Sequence, residues 1–399
     1  MSAQTEVPIG ASLSIARRDI SVRLVTASDL APHVDAWQRL AANAFVPNIF
    51  YEPWMALPAI EALESTEQLC FLLVFDATCK ELWGFFPIEI QSRCLHLPIR
   101  NLALWQHRYC YLTSPLLDAA HARETLNAFW RWLEHNPLNA HVLDTNWLLA
   151  DGPFHALWTD FALGRTSLML NDFPRALYQP DCPLPSYLAR SLSRKSAKRF
   201  EHRERLLSQL GSVEYRMAAT ATDAETWADD FLKLESAGWK GREGGRAFAT
   251  YHPDAVYFRA ITKEAFQRRR AMLLSLTLDG KPIAMRHTLL AGRGAFAFRT
   301  AYHETYAKFC PGTLLELEAM RLAYEHPSVE WMDSCAAPRH AHWNRFYRER
   351  RMVRRSLFSC GSQTGDFLIS ALPLMRWAGK LIAPNKTPDY LQISTRKGD

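Results

Sequence analysis

The chain has 399 residues, of which 48% are apolar and 22% charged, with 17 Gly and 22 Pro. That length predicts two domains of about 100–200 residues each, and the composition excludes collagen-like, disordered and low-complexity chains. The net charge is +6, and it is unevenly placed: Arg190–Arg205 holds seven basic residues against Glu201 and Glu204, and Arg339–Arg355 holds seven against Glu349. Two basic segments on a slightly acidic body suggest a polyanionic partner such as a nucleotide tail, RNA, a sugar phosphate or lipid headgroups. Solvated helix faces would produce the same pattern.

No run of about 18 uncharged apolar residues occurs, so no transmembrane helix is expected. Met1–Ile20 carries Glu6, Arg17, Arg18 and Asp19 with no continuous apolar core, so it does not read as a signal peptide. The eight cysteines (Cys70, Cys79, Cys94, Cys110, Cys182, Cys310, Cys335, Cys360) include no closely spaced pair. That argues against a zinc knuckle or a redox dithiol, and the expectation is a cytoplasmic protein with reduced thiols and no metal.

In chain order, Ser21–Val25 reads as a strand and Ala31–Ala44 as a helix, followed by a shorter helix near Pro53–Leu63. Strands are predicted at Leu69–Phe75, Leu82–Ile90 and Leu102–Tyr111, then a helix at Ala119–Glu134 and a strand at His141–Thr145. The stretch Tyr178–Pro185, with three prolines, reads as a join leading through Ser186 into one basic helix, Tyr187–Leu210, with Gly211 at its C-terminal cap. The second half begins with a strand at Val213–Ala218 and helices at Asp223–Trp239, capped by Asp223, and Asp254–Arg269. Ala271–Leu278 and Pro282–Leu290 form a hairpin around Asp279-Gly280, and Ala295–Tyr302 follows as a third strand. Pro311-Gly312 opens a helix at Thr313–Glu325; then come a short strand at Val329–Asp333, a helix at Ala341–Arg350 and a strand at Met352–Ser359.

The two halves share one element order with a period of about 190–200 residues, which is far longer than a solenoid repeat of about 20–50. The predicted architecture is α/β (α+β): tandem domains, each a mixed, mostly antiparallel sheet flanked by helices. The boundaries are placed at 20–180 and 187–362, with 363–399 as an amphipathic helix and tail. Phe367, Leu368, Ala371, Leu372, Met375 and Leu381, with Arg376 and Lys380, give the region 367–382 a face for packing or for peripheral membrane contact.

A meander passing into strand–loop–helix–strand–helix–strand resembles the GNAT acyltransferase fold. Phe231-Leu232-Lys233-Leu234-Glu235 with Gly238-Trp239-Lys240 resembles the acceptor-side signature of the CelD-like (cellulose-biosynthesis type) acetyltransferases, relatives of the Fem-type tandem-GNAT transferases. Tyr51–Trp54, the basic run Ser193–Arg205 and Tyr302–Leu315 agree with that family. The resemblance covers roughly residues 20–380. It implies acetyl-CoA or another acyl-CoA as co-substrate, held in the C-terminal domain, with the N-terminal domain supplying one wall of the acceptor cleft.

Lys308, Phe309, Cys310, Pro311, Gly312 and Thr313 form the candidate phosphate loop. A helix N-terminus offers unpaired N–H groups and a positive dipole end, Gly312 permits close approach, and Lys308 adds charge. The counterpart in the first half, Arg108–Pro115, has no glycine at the close-approach position. Tyr347 is where the resemblance puts a tyrosine that protonates the departing thiolate. An acceptor ammonium must lose a proton before attack, which points to Asp333 or Glu235 as base. Trp239, Lys240, His303 and Trp343 are the candidate acceptor-binding residues. His340 and His342 lack the partners a metal site needs.

Three readings remain open on the sequence. One is an acyl-CoA-dependent N- or O-acyltransferase acting on a sugar, cell-envelope precursor or small amine, in the manner of polysaccharide or envelope biosynthesis. Another is a Fem-type aminoacyl-tRNA-dependent transferase, with tRNA as partner. The last is a non-catalytic tandem module binding an anionic envelope intermediate.

Overall fold

A computed structural model describes residues 20–63, 66–95, 97–242, 245–337 and 340–382. The stretch before residue 20, Arg339 and the tail after 382, all weighed in the sequence, lie outside the described residues.

The first half comprises β1 (Ile20–Thr26), α1 (Val34–Ala42), α2 (Pro53–Leu63), β2 (Leu69–Asp76), β3 (Leu82–Gln91), β4 (Asn101–Leu104), β5 (Leu116–Leu117), α3 (Ala122–His135), β6 (Val142–Leu149), α4 (Gly152–Ala162) and β7 (Ser167–Tyr178). The strand expected over Leu102–Tyr111 stops at Leu104; one more bond to β3, from the Trp105 backbone N–H to the Pro87 carbonyl, follows before the chain turns away. The buried Asn48 side chain holds that departing segment by donating to the carbonyls of Leu112 and Ser114, at 2.9 and 2.8 Å.

The second half continues with α5 (Leu184–Ser191), α6 (Arg194–Ser208), β8 (Val213–Met217), α7 (Ala221–Ala237), α8 (His252–Gln267), β9 (Ala271–Leu278), β10 (Lys281–Ala291), β11 (Gly294–Tyr302), α9 (Pro311–Glu325), β12 (Trp331–Asp333), α10 (Ala341–Phe346), β13 (Glu349–Ser359) and α11 (Gln363–Ile382). The basic helix is two helices. Leu192 is extended, and the Ser193 side chain caps the second helix by accepting from Ser196 N–H. Thr220 caps α7, with Asp223 returning the bond as its capping-box partner rather than acting as the cap itself. Gly211 serves close approach, since a Cβ there would meet the Asp279 carboxylate at 2.3 Å. Asp279 and Gly280 both take positive φ, as a tight hairpin turn requires.

The chain forms two compact units that do not coincide with the two sequence halves. Of the described residues, one unit holds 20–53, those between Leu63 and Pro174, and 352–382; the other holds Trp54–Leu63 and those from Pro174 to Arg351. In the first unit the strand order is β1-β2-β3-β4-β6-β13-β7, with β1–β2, β2–β3, β3–β4 and β6–β13 antiparallel and β4–β6 parallel. In the second it is β7-β12-β11-β10-β9-β8, antiparallel apart from the parallel β11–β12 pair. Each unit is therefore a mixed sheet flanked by helices, and each takes its last strand from the other half of the sequence. β13 pairs with β6 from Val353↔Leu149 to Ser359↔Val142, while the end of β7 pairs with β12 through Tyr178↔Met332 and Leu177↔Asp333.

Burial makes two histidines acid-sensitive supports. His107 in the first unit and His287 in the second are buried, and desolvation pulls each down to about 3. The unfolded chain takes up these protons near pH 6.5, whereas the folded chain resists until about 3, so falling pH favours unfolding across that interval. The expected result is a Tm that declines steadily as pH drops below 6.5, with a shallower decline in His287→Gln, measured by differential scanning calorimetry across a pH series.

Candidate active site

The register of β11 decides what lies on its far side. His303 N–H donates to the Ile283 carbonyl directly opposite, so the odd residues of this stretch turn their backbone groups toward β10. Thr300 and Tyr302 consequently turn theirs away from β10, up to the register shift beyond Arg299. Pairing with β12 ends at Phe296↔Asp333, because the chain beyond Asp333 stays with β7: Ser334 N–H donates to the Ala176 carbonyl at 3.1 Å. Two parallel strands thus diverge, and the Thr300 carbonyl faces the gap between them.

Lys240 enters that gap. Its Nζ lies 2.8 Å from the Thr300 carbonyl and 3.1 Å from Glu235 Oε1, while Glu235 Oε2 accepts from Phe248 N–H at 2.9 Å. The carboxylate is fully buried and the lysine side chain is only 20% exposed. Desolvation lowers the Lys240 pKa from the ordinary lysine value; Glu235 opposes that shift and Arg299 on β11 adds to it. The sequence signature that joined Glu235 to Lys240 is thereby an ion pair, formed because Gly238 ends α7 and the turn Trp239–Gly241 folds back on it. Trp239 is 59% exposed, and its backbone N–H donates to Glu304 at 2.7 Å. His303 is exposed and accepts from Thr305 N–H.

Asp333 is completely buried between two guanidinium groups, with Arg175 and Arg351 each 3.3 Å from Oδ2, and Cys335 N–H donates to Oδ1 at 2.8 Å. Arg351 stacks over Trp331, 3.9 Å from the ring centre. Alternation along β12 sends Met332 to the face where Arg286 lies and Asp333 to the opposite one.

Tyr347 follows α10 rather than lying in it, with an extended backbone (φ −98, ψ 115) that turns the ring inward. Its hydroxyl is buried, donates to Glu316 Oε1 at 2.8 Å and accepts from Arg286 Nη2 at 3.2 Å. Arg286 also binds the other oxygen of Glu316, which completes a closed triad beneath Trp343, whose ring centre lies 5.2 Å from the guanidinium. Burial pushes the Tyr347 phenol up to about 12, with Arg286 acting against it. The hydroxyl thus holds its proton at neutral pH within an ionic network.

At the start of α9, Cys310 takes a left-handed conformation (φ 55) that ends the 3-10 turn Glu304–Phe309 and begins the helix. Thr313 N–H turns back on the Cys310 carbonyl, and Pro311 has no N–H, so Gly312 supplies the outward-facing donor of this turn. A Cβ built on Gly312 would meet only a Tyr302 ring carbon, at 3.4 Å, so space lies beside it. Arg203 of α6 reaches the Cys310 sulfur, which brings the basic helix against the loop. Lys308 is exposed, its ammonium 4.9 Å from the Phe309 ring centre. These features fit a pyrophosphate. In the first unit, Arg108–Pro115 leads into β5 and not into a helix, and Tyr109, Cys110, Leu112, Thr113 and Ser114 are buried.

Sequence reasoning missed Arg286, Glu316 and Arg175. A basic residue in the apolar run Pro282–Leu290 and an acidic one on the apolar side of α9 were the available signals, since buried charges come in pairs. Among the described residues no group of three His, Cys, Asp or Glu could hold a metal ion, and no helix is long and apolar enough to cross a membrane. α11 buries Leu368, Ile369 and Leu372 in the first unit and exposes Phe367, Leu374 and Trp377.

Residues 194–345 match a family model described as an acetyltransferase (GNAT) domain. No curated protein matches the chain. Among solved structures, FemX is similar over 82% of this chain and 95% of its own, at 10% identity and a TM-score of 0.50. A conserved protein of unknown function from Bacteroides thetaiotaomicron is similar over 84% and 97%, at 10% identity and a TM-score of 0.51. A tandem GNAT protein from the clavulanic acid biosynthesis pathway aligns over 86% and 99%, at 14% identity and a TM-score of 0.43.

Proposed function

We propose that the protein is an acyl-CoA-dependent N- or O-acyltransferase, in which the acceptor attacks the thioester directly. The observation that carries this reading is the gap where β11 and β12 part, with the Thr300 carbonyl facing it and the start of α9 beginning after the same strand. The GNAT-domain match over 194–345 covers all of these elements. Gly312 and Lys308, with Arg203 beside them, would hold the pyrophosphate of acetyl-CoA or another acyl-CoA, and the bound thioester would supply the activated acyl group. Glu235 takes the proton that an acceptor ammonium must lose, and Tyr347 returns one to the thiolate. Asp333 is already held by two arginines, so Glu235 is the preferred base.

Trp239 and Trp343 offer apolar surface to an acceptor that is a sugar, a cell-envelope precursor or a small amine. The exposed Phe367, Leu374 and Trp377 of α11 support peripheral contact with a lipid surface, where an envelope precursor would be met. The exposed Lys195, Lys198 and Arg199 of α6 favour one further reading, a Fem-type transfer from aminoacyl-tRNA, because phosphate contacts by Lys and Arg carry nucleic-acid affinity.

Calorimetric titration of the full chain with CoA tests the first reading. The wild type is expected to bind, and Gly312→Val, whose side chain fills the space beside the helix start, is expected to bind at least about tenfold more weakly with an unchanged Tm. Absence of CoA binding, with tRNA retained on the purified protein, would transfer the assignment to the second reading.

A further inference from the structure

We propose that Lys240 is itself an acyl acceptor, a self-modification site built into the gap between β11 and β12. The inference rests on the acyl-CoA reading of that gap, but its geometry is independent of it. Nζ is held between a buried carboxylate that accepts a proton, 3.1 Å away, and a carbonyl 2.8 Å away on the strand that faces the gap. A primary amine is therefore fixed at the spot where an attacking nitrogen belongs, with a proton acceptor already in contact. Direct interaction with Glu235 and burial make Lys240 unlike the exposed Lys195, Lys198 and Lys308.

The step balances without a further reagent beyond the acyl thioester. Nζ loses a proton to Glu235, and its lone pair forms a bond to the thioester carbonyl carbon. The C–S bond breaks and its electron pair leaves with sulfur, which takes the second proton, the one lost by the nitrogen as it becomes an amide, and departs as the free thiol. The product is an uncharged acyl-lysine, so the Lys240–Glu235 ion pair disappears, and Glu235, once it has released its proton to water, becomes available to an incoming acceptor.

Burial and two charged groups set the ionisation of this amine: burial and Arg299 on β11 favour the free amine, while Glu235 on α7 favours the ammonium. The net lowering places the midpoint for nucleophilic Lys240 below that of an ordinary lysine, 10.5.

The test incubates the full chain with acetyl-CoA, and separately with a small acetyl thioester that lacks the nucleotide, and follows acetylation of each lysine by peptide mass spectrometry over time and pH. Lys240 is expected to gain one acetyl group ahead of Lys195, Lys198 and Lys308, with a rate rising to a plateau at lower pH than theirs. Glu235→Gln is expected to slow Lys240 acetylation by about 10²-fold or more, as loss of a contacting base does, while leaving the exposed lysines unaffected. Acetylation of the exposed lysines with Lys240 spared, in protein shown by calorimetry to bind CoA, would overturn the inference and leave the acyltransferase reading intact. Absence of CoA binding, with Lys240 still labelled first by the small thioester, would overturn the CoA reading and sustain the reactive lysine. Lys240 spared by both donors in folded protein would overturn the inference outright.

Discussion

Tyr347→Phe is expected to lower turnover by about 10²–10⁴-fold while leaving the affinity for acyl-CoA nearly unchanged, the signature of a lost general acid. The substitution keeps the ring, its packing against Trp343 at 5.2 Å and its burial, and removes only the hydroxyl. That hydroxyl holds its proton because burial raises it to about 12, and it is aligned by Arg286 on one side and Glu316 on the other. Steady-state and single-turnover kinetics separate chemistry from product release. A variant that turns over at the wild-type rate, with chemistry limiting, would make Tyr347 a structural member of the triad and remove it from the mechanism. The stability cost of the same change should be small, about 1–3 kcal/mol for one buried partner lost, because Arg286 and Glu316 keep each other.

Glu316→Gln is expected to be far more damaging to the fold, by about 3–5 kcal/mol, since it strands a buried guanidinium. Arg286 is only 1% exposed and touches Glu316, Tyr347, Met332 and Thr288, none of which supplies a second negative charge. The double variant Arg286→Met with Glu316→Leu removes both charges and should recover most of that loss, because an apolar pair of similar volume needs no desolvation of ions. Urea denaturation of the wild type, the single variant and the double variant compares the two losses. Equal destabilisation in the single and double variants would show that the triad acts through shape alone.

Much of the fold was legible in the sequence, for reasons visible in particular elements. The hairpin at Asp279-Gly280 needs two left-handed residues, and few pairs tolerate that conformation. The order of most strands and helices followed from hydrophobic period and from the Pro311-Gly312 helix start, whereas α4 and β7 were not foreseen and the basic helix is two helices. Of the candidate site, Glu235 and Lys240 were found together because five residues bring them across one helix end. Short range made them readable. Tyr347 and Asp333 were each singled out, but their partners were not, since Arg286, Glu316 and Arg175 are 61, 31 and 158 residues distant in the chain.

By itself, then, the sequence determined most of the elements and their repeated order, because propensity, period and turn chemistry act within a few residues. Only the tertiary structure decided which strand joins which sheet. β13 buries Val353 and the run Ser356–Ser359, a pattern that names no partner strand, and its pairing with β6 is chosen by packing across the whole unit. The same holds for the site. A carboxylate such as Asp333 reads in the sequence as a possible base, and only the two guanidinium groups that fold against it, from Arg175 and Arg351, make it a fixed counter-ion, because a buried charge takes its character from its neighbours.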